Sequence, residues 1–174
     1  MTPKVRSERV DLVRISLIKC QNASSYNRMD LGEDIFLGYL LPLLRRTPHD
    51  VTIDDHAFAY FDTLDDLRRR ATSTLADKPD LILFSIRQNT SNLFFTLQYV
   101  TLLRRLGYQG AIGVFGDTGV DLPHVLRDHD VTFVVTGDEL SVLDLVNRCA
   151  HGAPLSSEAP PQTDEHVGLG SCRR

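Results

Sequence analysis

Apolar and polar positions alternate along the chain in a way that predicts five strands, each followed by a helix. Residues 10–19 read VDLVRISLIK, a β-branched run of strand length that ends in a polar stretch. Short apolar runs of the same kind recur, and segments of helical period separate them. The further strands are predicted at residues 50–55, 81–86, 111–115 and 131–135.

The first helix has a sequence signal for its start, but it also contains a proline, which disfavours a continuous helix. Asp30 and Glu33 form a D-x-x-E start, and the helix should run to about Arg46. Pro42 predicts a kink or an earlier end, because proline lacks an amide donor and crowds the carbonyl four residues before it. The expected apolar side of this helix is Ile35, Phe36, Tyr39, Leu40 and Leu43. The other helices are predicted at about residues 64–75, 91–106, 122–127 and 139–151.

This order of elements predicts an α/β fold: a doubly wound, open five-stranded parallel sheet of the flavodoxin-like (Rossmann-like) type. Parallel strands need crossover connections, and these place helices on both faces of the sheet. We expect the strand order 2-1-3-4-5. The folded domain should span residues 10–151, between a flexible N-terminus at 1–9 and a flexible C-terminal tail at 152–174 that is poor in apolar residues.

Composition narrows the classes of function. The 174 residues are 42% hydrophobic and 24% charged, which is typical of one soluble globular domain. The formal net charge of -4 argues against nucleic acid as a main partner. No apolar run approaches the roughly 20 residues of a membrane span, and the N-terminus lacks a signal-peptide pattern. We therefore expect a cytoplasmic protein with no nucleic-acid or membrane partner, and its oligomeric state stays open.

Cysteine and histidine spacing predicts no metal ligands. Cys20, Cys149 and Cys172 stand far apart, without the C-x-x-C spacing of a zinc or iron–sulfur loop. The six histidines include no pair at the i, i+4 spacing that would place two imidazoles on one helical face. An odd number of separated cysteines also fits a reducing compartment.

A binding site is expected in the crevice at the carboxyl ends of the strands, where open parallel sheets bind ligands. A receiver domain would carry acidic residues after strand one, an aspartate after strand three and a lysine after strand five, but these loops read KCQNAS, RQNTS and TGDE. Dinucleotide, nucleoside-triphosphate and hydrolase motifs do not occur. Serine and asparagine at residues 22–27 leave a flavin-phosphate loop open. We predict no catalytic residue.

Three segments, read in order, resemble the cobalamin-binding domain found N-terminal to the radical domain of cobalamin-dependent radical S-adenosylmethionine enzymes. They are PDLILFSIRQN (79–89), IGVFGDTGVDLP (112–123) and VTFVVTGDELSVLDLV (131–146). The positions that fall on the family's pattern are Leu37 and Gly38 in the first helix, Ser85, Val114, Gly116, Pro123, Gly137 and Glu139.

The resemblance implies a cobalamin-binding protein. The sequence holds no C-x-x-x-C-x-x-C triplet, so the implied role is a non-catalytic accessory subunit that carries or positions cobalamin for a separate radical S-adenosylmethionine methyltransferase or related enzyme. Ser85, Gly116 and Gly137 would line the groove for the nucleotide tail. The implied cofactor-binding residues are Cys20, Gln21, Asn22, Tyr26, Arg28, Ser85, Arg87, Gln88, Gly116, Asp117, Thr118, Thr136, Gly137, Asp138 and Glu139.

The sequence departs from the family pattern in the first loop and at Phe115. Related mutases and methyltransferases carry D-x-H-x-x-G after the first strand, with the histidine on cobalt, whereas this loop reads CQNASSYNRMDLG. Cobalt's lower face would then be left to water, to nothing, or to a side chain such as Tyr26 or Arg28. Phe115 stands where the family has its first glycine. The alternative function is a degenerate flavodoxin-like domain that serves as a protein-interaction or regulatory module without a cofactor.

Overall fold

The computed structural model describes residues 12–20, 35–55, 64–86, 90–116, 125–126, 128–135 and 138–152. Residues 125–126 are helical and fall within the helix predicted at residues 122–127. The other elements, in chain order, are β1 (Arg14–Lys19), α1 (Ile35–Leu44), β2 (Asp50–Asp55), α2 (Leu64–Ala76), β3 (Leu81–Ser85), α3 (Thr90–Arg105), β4 (Ala111–Phe115), β5 (Phe133–Val135) and α4 (Glu139–Ala150). The predicted flexible segments, 1–9 and all of the tail beyond Gly152, lie outside the described residues.

The strands form one parallel sheet in the order β2-β1-β3-β4-β5, which confirms the predicted fold class and strand order. All five residues of β3 are buried, and β1 and β4 are buried except at their first residues. Strands that are apolar along their whole length need cover on both faces, and this sheet has it.

Two helical layers cover alternate residues of each strand. Leu81 and Leu83 of β3 lie in the core cluster that includes residues of α1 and α4. Ile82 and Phe84 lie in the opposite cluster with residues of α2 and α3. Helices within each layer also contact one another, α1 with α4 and α2 with α3. The inner face of α3 is formed by Thr96, Tyr99, Val100 and Leu103, all fully buried.

The first helix matches its predicted apolar side only in part. It ends at Leu44, two residues after Pro42, which agrees with the earlier end expected from proline. Leu37, Leu40 and Leu44 are buried and Phe36 packs against the same core, whereas Tyr39, predicted on that side, is 65% exposed. The helix is apolar on most sides, so the spacing 37, 40, 44 satisfies the helical period as well as the predicted set does.

Side-chain hydrogen bonds hold the amino ends of β1 and β3 together. The Arg14 amide donates to Oδ2 of Asp80 over 2.9 Å, and the Asp80 amide donates to the Arg14 carbonyl over 2.8 Å. Partial burial opposes ionisation of Asp80, but the hydrogen bonds and charge of Arg14 outweigh it and lower the pKa of this carboxyl.

A second arginine connects α3 to the amino ends of β4 and β5. Nη1 of Arg104 donates to the carbonyls of Tyr108 and Gly110 over 3.0 and 2.8 Å. Nη2 donates to the Asp130 carbonyl over 3.1 Å and to Oγ1 of Thr132 over 3.3 Å. One guanidinium thus satisfies several carbonyls that end a helix or precede a strand.

Among the described strands, the outer strand β2 pairs only with β1, and it is rich in aspartate. Its six residues read DVTIDD, with Asp50 exposed and Ile53 41% exposed. Asp54 forms an ion pair with Arg70 of α2, with 2.5 Å between Oδ1 and Nη1. Within the part of the chain that the structure describes, this edge of the sheet is therefore open, and it is acidic.

Gly113 of β4 makes room for the aromatic ring of Phe133 in β5. A Cβ atom at Gly113 would overlap that ring and crowd Cδ2 of Leu83. We expect Gly113→Ala to lower the free energy of unfolding by about 1–3 kcal/mol, the usual cost of overpacking.

Gly38 of α1 provides a matched control, because nothing lies within 4 Å of an added Cβ there. Gly38→Ala should raise the free energy of unfolding by roughly 0.5–1 kcal/mol through helix propensity. Urea titrations of both variants, followed by circular dichroism, measure the two changes. A Gly113→Ala protein as stable as the parent would contradict the packing described for this pair of strands.

Candidate functional site

The structure describes some of the predicted cofactor-binding residues and leaves the rest outside. Cys20, Ser85 and Gly116 follow or end three adjacent strands, and Asp138 and Glu139 begin α4. The other predicted residues lie outside the described residues: Gln21, Asn22, Tyr26, Arg28, Arg87, Gln88, Asp117, Thr118, Thr136 and Gly137.

The carboxyl edge of the sheet brings a lysine and a serine together. Ile18 of β1 pairs in register with Phe84 of β3, so the next residues, Lys19 and Ser85, are neighbours along the edge. Lys19 is 5% exposed and Ser85 is 3% exposed. Lys19 was not among the predicted site residues. Its signal in the sequence was a charged residue directly after the apolar pair Leu17 and Ile18 at the end of the strand.

Cys20 packs in the core rather than on an open surface. It is 1% exposed and belongs to the cluster between the sheet and the α2 and α3 helices. Burial raises the pKa of its thiol far above the ordinary value, so the group is a neutral thiol at physiological pH. A contact between Cys20 and a cofactor stays a prediction.

A buried hydroxyl pair lies in the same layer as Cys20. The hydroxyls of Tyr99 and Thr74 are 2.9 Å apart and join α3 to α2. Burial raises the pKa of the Tyr99 phenol, so this pair too is uncharged. It satisfies two polar groups inside the core, as buried hydroxyls require.

The backbone conformation at position 116 requires a glycine. Its φ angle is +106°, in the region that favours glycine, and a Cβ there would collide with the Ile86 carbonyl oxygen. The Ile86 amide in turn donates to the Phe115 carbonyl over 2.9 Å. A larger residue at 116 would strain the backbone whether or not a ligand binds nearby.

The Phe115 ring fills the side of this edge that faces α1 and α4. It is fully buried and stacks on Phe36 of α1, with ring centroids 5.2 Å apart and an interplanar angle of 30°. The resemblance implies a nucleotide tail beside Ser85 and Gly116. Contacts of such a tail with Ser85 and Gly116 stay predictions.

Asp138 and Glu139 serve the start of α4. The Asp138 carboxylate accepts hydrogen bonds from the amide and the hydroxyl of Ser141, over 3.0 and 3.1 Å. These bonds lower the pKa of Asp138. Asp138 is therefore the N-cap of α4, and Glu139 follows in its first turn, where negative charge suits the helix dipole.

A polar groove of about 620 Å³ runs between β2 and α2. Ser16, Thr52 and Thr74 contribute hydroxyls to its lining. Two ion pairs cross or border it, Arg70 with Asp54 and Arg69 with Asp66. Within the described ranges no three histidine, cysteine, aspartate or glutamate side chains come close enough to share a metal ion.

An apolar groove of about 410 Å³ lies on the outer side of α3; we refer to it as the α3 groove. Leu64 of α2 lines one side, and His129 also contributes. Its large apolar side chains are uncovered, with Leu64 70% and Phe94 57% exposed. The α3 residues that line it are Phe94, Leu97, Gln98, Thr101, Leu102 and Arg105.

Sequence reasoning did not identify the α3 groove, although the sequence carried a signal. The helix reads TSNLFFTLQYVTLLRR, with apolar residues on two faces rather than one. One face covers the sheet, and a second apolar face on a surface helix indicates another partner. None of the described helices has the length and apolar character needed to cross a bilayer.

No family model matches this sequence, and no curated protein matches it. Eight chains of solved structures do match. One is a two-component response regulator of the LuxR family from Aurantimonas sp. SI85-9A1, with a TM-score of 0.52, 14% identity, and coverage of 86% of this chain and 91% of that one. At this identity the similarity shows the fold alone.

Burial of Cys20 predicts a thiol that is protected from reagents. In a Cys149→Ser, Cys172→Ser background, N-ethylmaleimide should label Cys20 at least about a hundredfold more slowly than a model thiol, because labelling requires local opening. Mass spectrometry of timed samples measures the rate, and labelling in urea is the positive control. Fast labelling of the native protein would contradict the packing of Cys20 in the core.

Proposed function

We propose that this domain is a protein-interaction or regulatory module that works without a bound cofactor, through the α3 groove. The observation that supports this is the exposure of Phe94 and Leu64 within one continuous groove. Each large apolar side chain would gain roughly 1.5–3 kcal/mol on burial, and contiguous uncovered apolar surface marks interaction sites. A binding partner that covers the groove would recover that free energy.

The carboxyl edge of the sheet also favours this proposal. Cys20 packs in the core, Gly116 is required by the Ile86 carbonyl, and Phe115 stacks on Phe36. These described residues have intramolecular reasons for their identities. The response regulator of similar fold is, by its name, a regulatory protein. A regulatory role for this domain agrees with that neighbour.

Site-specific photo-crosslinking tests the proposal. p-Benzoyl-phenylalanine placed at position 94, in the groove, should give a discrete crosslinked partner in cells that make the natural protein. The same group at position 39 is the control, because Tyr39 is equally exposed but lies on the opposite helical layer. Crosslinking of equal yield and pattern from both positions would contradict a specific partner surface on α3.

A second candidate function is cobalamin binding, supported by Ser85 and Gly116 at adjacent strand ends and by the resemblance of the three loop segments. Bound cobalamin would supply methyl-transfer or redox chemistry to a separate radical S-adenosylmethionine enzyme. The predicted loop residues would position the cofactor, and Ser85 and Gly116 would contact its nucleotide tail.

Cofactor retention separates the two candidates. Purified protein incubated with hydroxocobalamin and then desalted should be colourless in the visible range if the domain works without cofactor. A stoichiometric cobalamin spectrum after desalting would replace the first proposal with the second. In that case the cob(II)alamin form should lack splitting from a protein histidine in its electron paramagnetic resonance spectrum, because the first loop contains none.

A further inference from the structure

We infer that the α3 groove binds an acidic amphipathic helix of another protein. The inference rests on the proposed function and names the chemistry of the partner. Three features of the groove support it: its length along α3, the spacing of its apolar side chains, and the charge of its ionisable residues.

The shape of the groove matches a helix. Its α3 residues recur at i, i+3, i+4, i+7, i+8 and i+11, from Phe94 to Arg105, and so form one stripe about 16 Å long. This is the spacing by which one helix packs against another, and short apolar grooves of this kind bind amphipathic helices through side chains one turn apart. An extended strand, with its two-residue period, would present side chains to the groove at a different repeat.

Leu64 of α2 adds an apolar side chain from a second helix to the groove. It is the first residue of α2, is 70% exposed and lines the same groove as Phe94. A docked helix that covers both would remove from water the two most exposed apolar groups described in this layer. A few large side chains carry most of the binding free energy at protein interfaces.

Arg105, the permanently charged side chain among the described residues that line the groove, favours an acidic partner. The ionisable residues that line it are Arg105 and His129, and both are basic types. Arg105 is exposed in the last turn of α3, beside Arg104, whose guanidinium donates to backbone carbonyls. Carboxylates on the docked helix would pair with Arg105, whereas a lysine-rich helix of the same apolar pattern would be repelled.

Two synthetic peptides test the inference on the full chain. Each is an amphipathic helix of about 18 residues, long enough to be helical, with leucines at i, i+3, i+4 and i+7. The first carries glutamate on its remaining face and the second carries lysine there. We expect the acidic peptide to bind at least about tenfold more tightly by calorimetry, with amide shifts confined to α3, Leu64 and His129 in NMR spectra.

Substitutions locate the binding surface. Phe94→Glu should weaken binding of the acidic peptide by about tenfold or more, and Arg105→Glu should weaken it and remove its preference over the lysine peptide. Tyr39→Glu and Leu140→Glu, at exposed apolar positions of the opposite layer, should leave both affinities unchanged. All four positions are on the surface, and circular dichroism checks that each variant folds.

Each contrary outcome has a distinct meaning. Equal affinity for both peptides, or tighter binding of the lysine peptide, would overturn the inference of an acidic helix. The proposed function would still hold in that case if crosslinking from position 94 gave a discrete partner. Self-association that Phe94→Glu abolishes in analytical ultracentrifugation would overturn it in favour of a second copy as the occupant. Retention of hydroxocobalamin would count against the proposed function itself.

Discussion

Burial of β3 between two helical layers is the constraint on which the rest of this structure depends. Its five residues alternate between the two core clusters, so each layer must supply a helix face that covers them. For α3 that face is Tyr99, Val100 and Leu103. A helix has one rotation that turns those residues inward, and the same rotation turns Phe94 outward. The need to cover the sheet therefore determines which residues of α3 are exposed. It does not require those exposed residues to be apolar, and their apolar character is a separate feature of the sequence.

The two edges of the sheet are stabilised by different physical means. At the amino edge, Arg14 and Arg104 donate to a carboxylate and to carbonyls, so charged hydrogen bonds fix where the strands begin. At the carboxyl edge, the Phe115–Phe36 ring stack and the close approach of Gly116 to Ile86 fix where β4 ends. In a doubly wound sheet the carboxyl edge is the usual place for ligands. Here Cys20, Phe115 and Gly116 have packing roles at that edge.

The sequence was sufficient for the architecture because each strand had a strong local signal. β2 and β4 have their predicted bounds, and the wholly apolar run of β3 correctly indicated cover on both faces. The buried side of α1 was predicted only in part, since apolar residues on most of its sides satisfy the helical period in more than one phase. Tyr39 is exposed for that reason.

The candidate site was harder to predict. The position of a residue at a strand end does not show which other residues pack against its side chain. Cys20 follows β1 directly, yet its thiol is enclosed by residues of α2 and α3 that are far away in sequence. Lys19 and Ser85 become neighbours only through the register of β1 with β3. Such placements depend on contacts between distant segments, which periodicity alone does not specify.

The acidic outer strand has a consequence for how this domain behaves in crowded solution. Among the described residues, no strand pairs with the outer row of backbone donors and acceptors of β2, and such a row is a template for stacking further strands from other molecules. Asp50 and Asp54 carry carboxylates on this strand, so a second copy adding there would bring like charges together. We therefore expect the strand to resist fibril-like growth, although its branched residue Ile53 is 41% exposed.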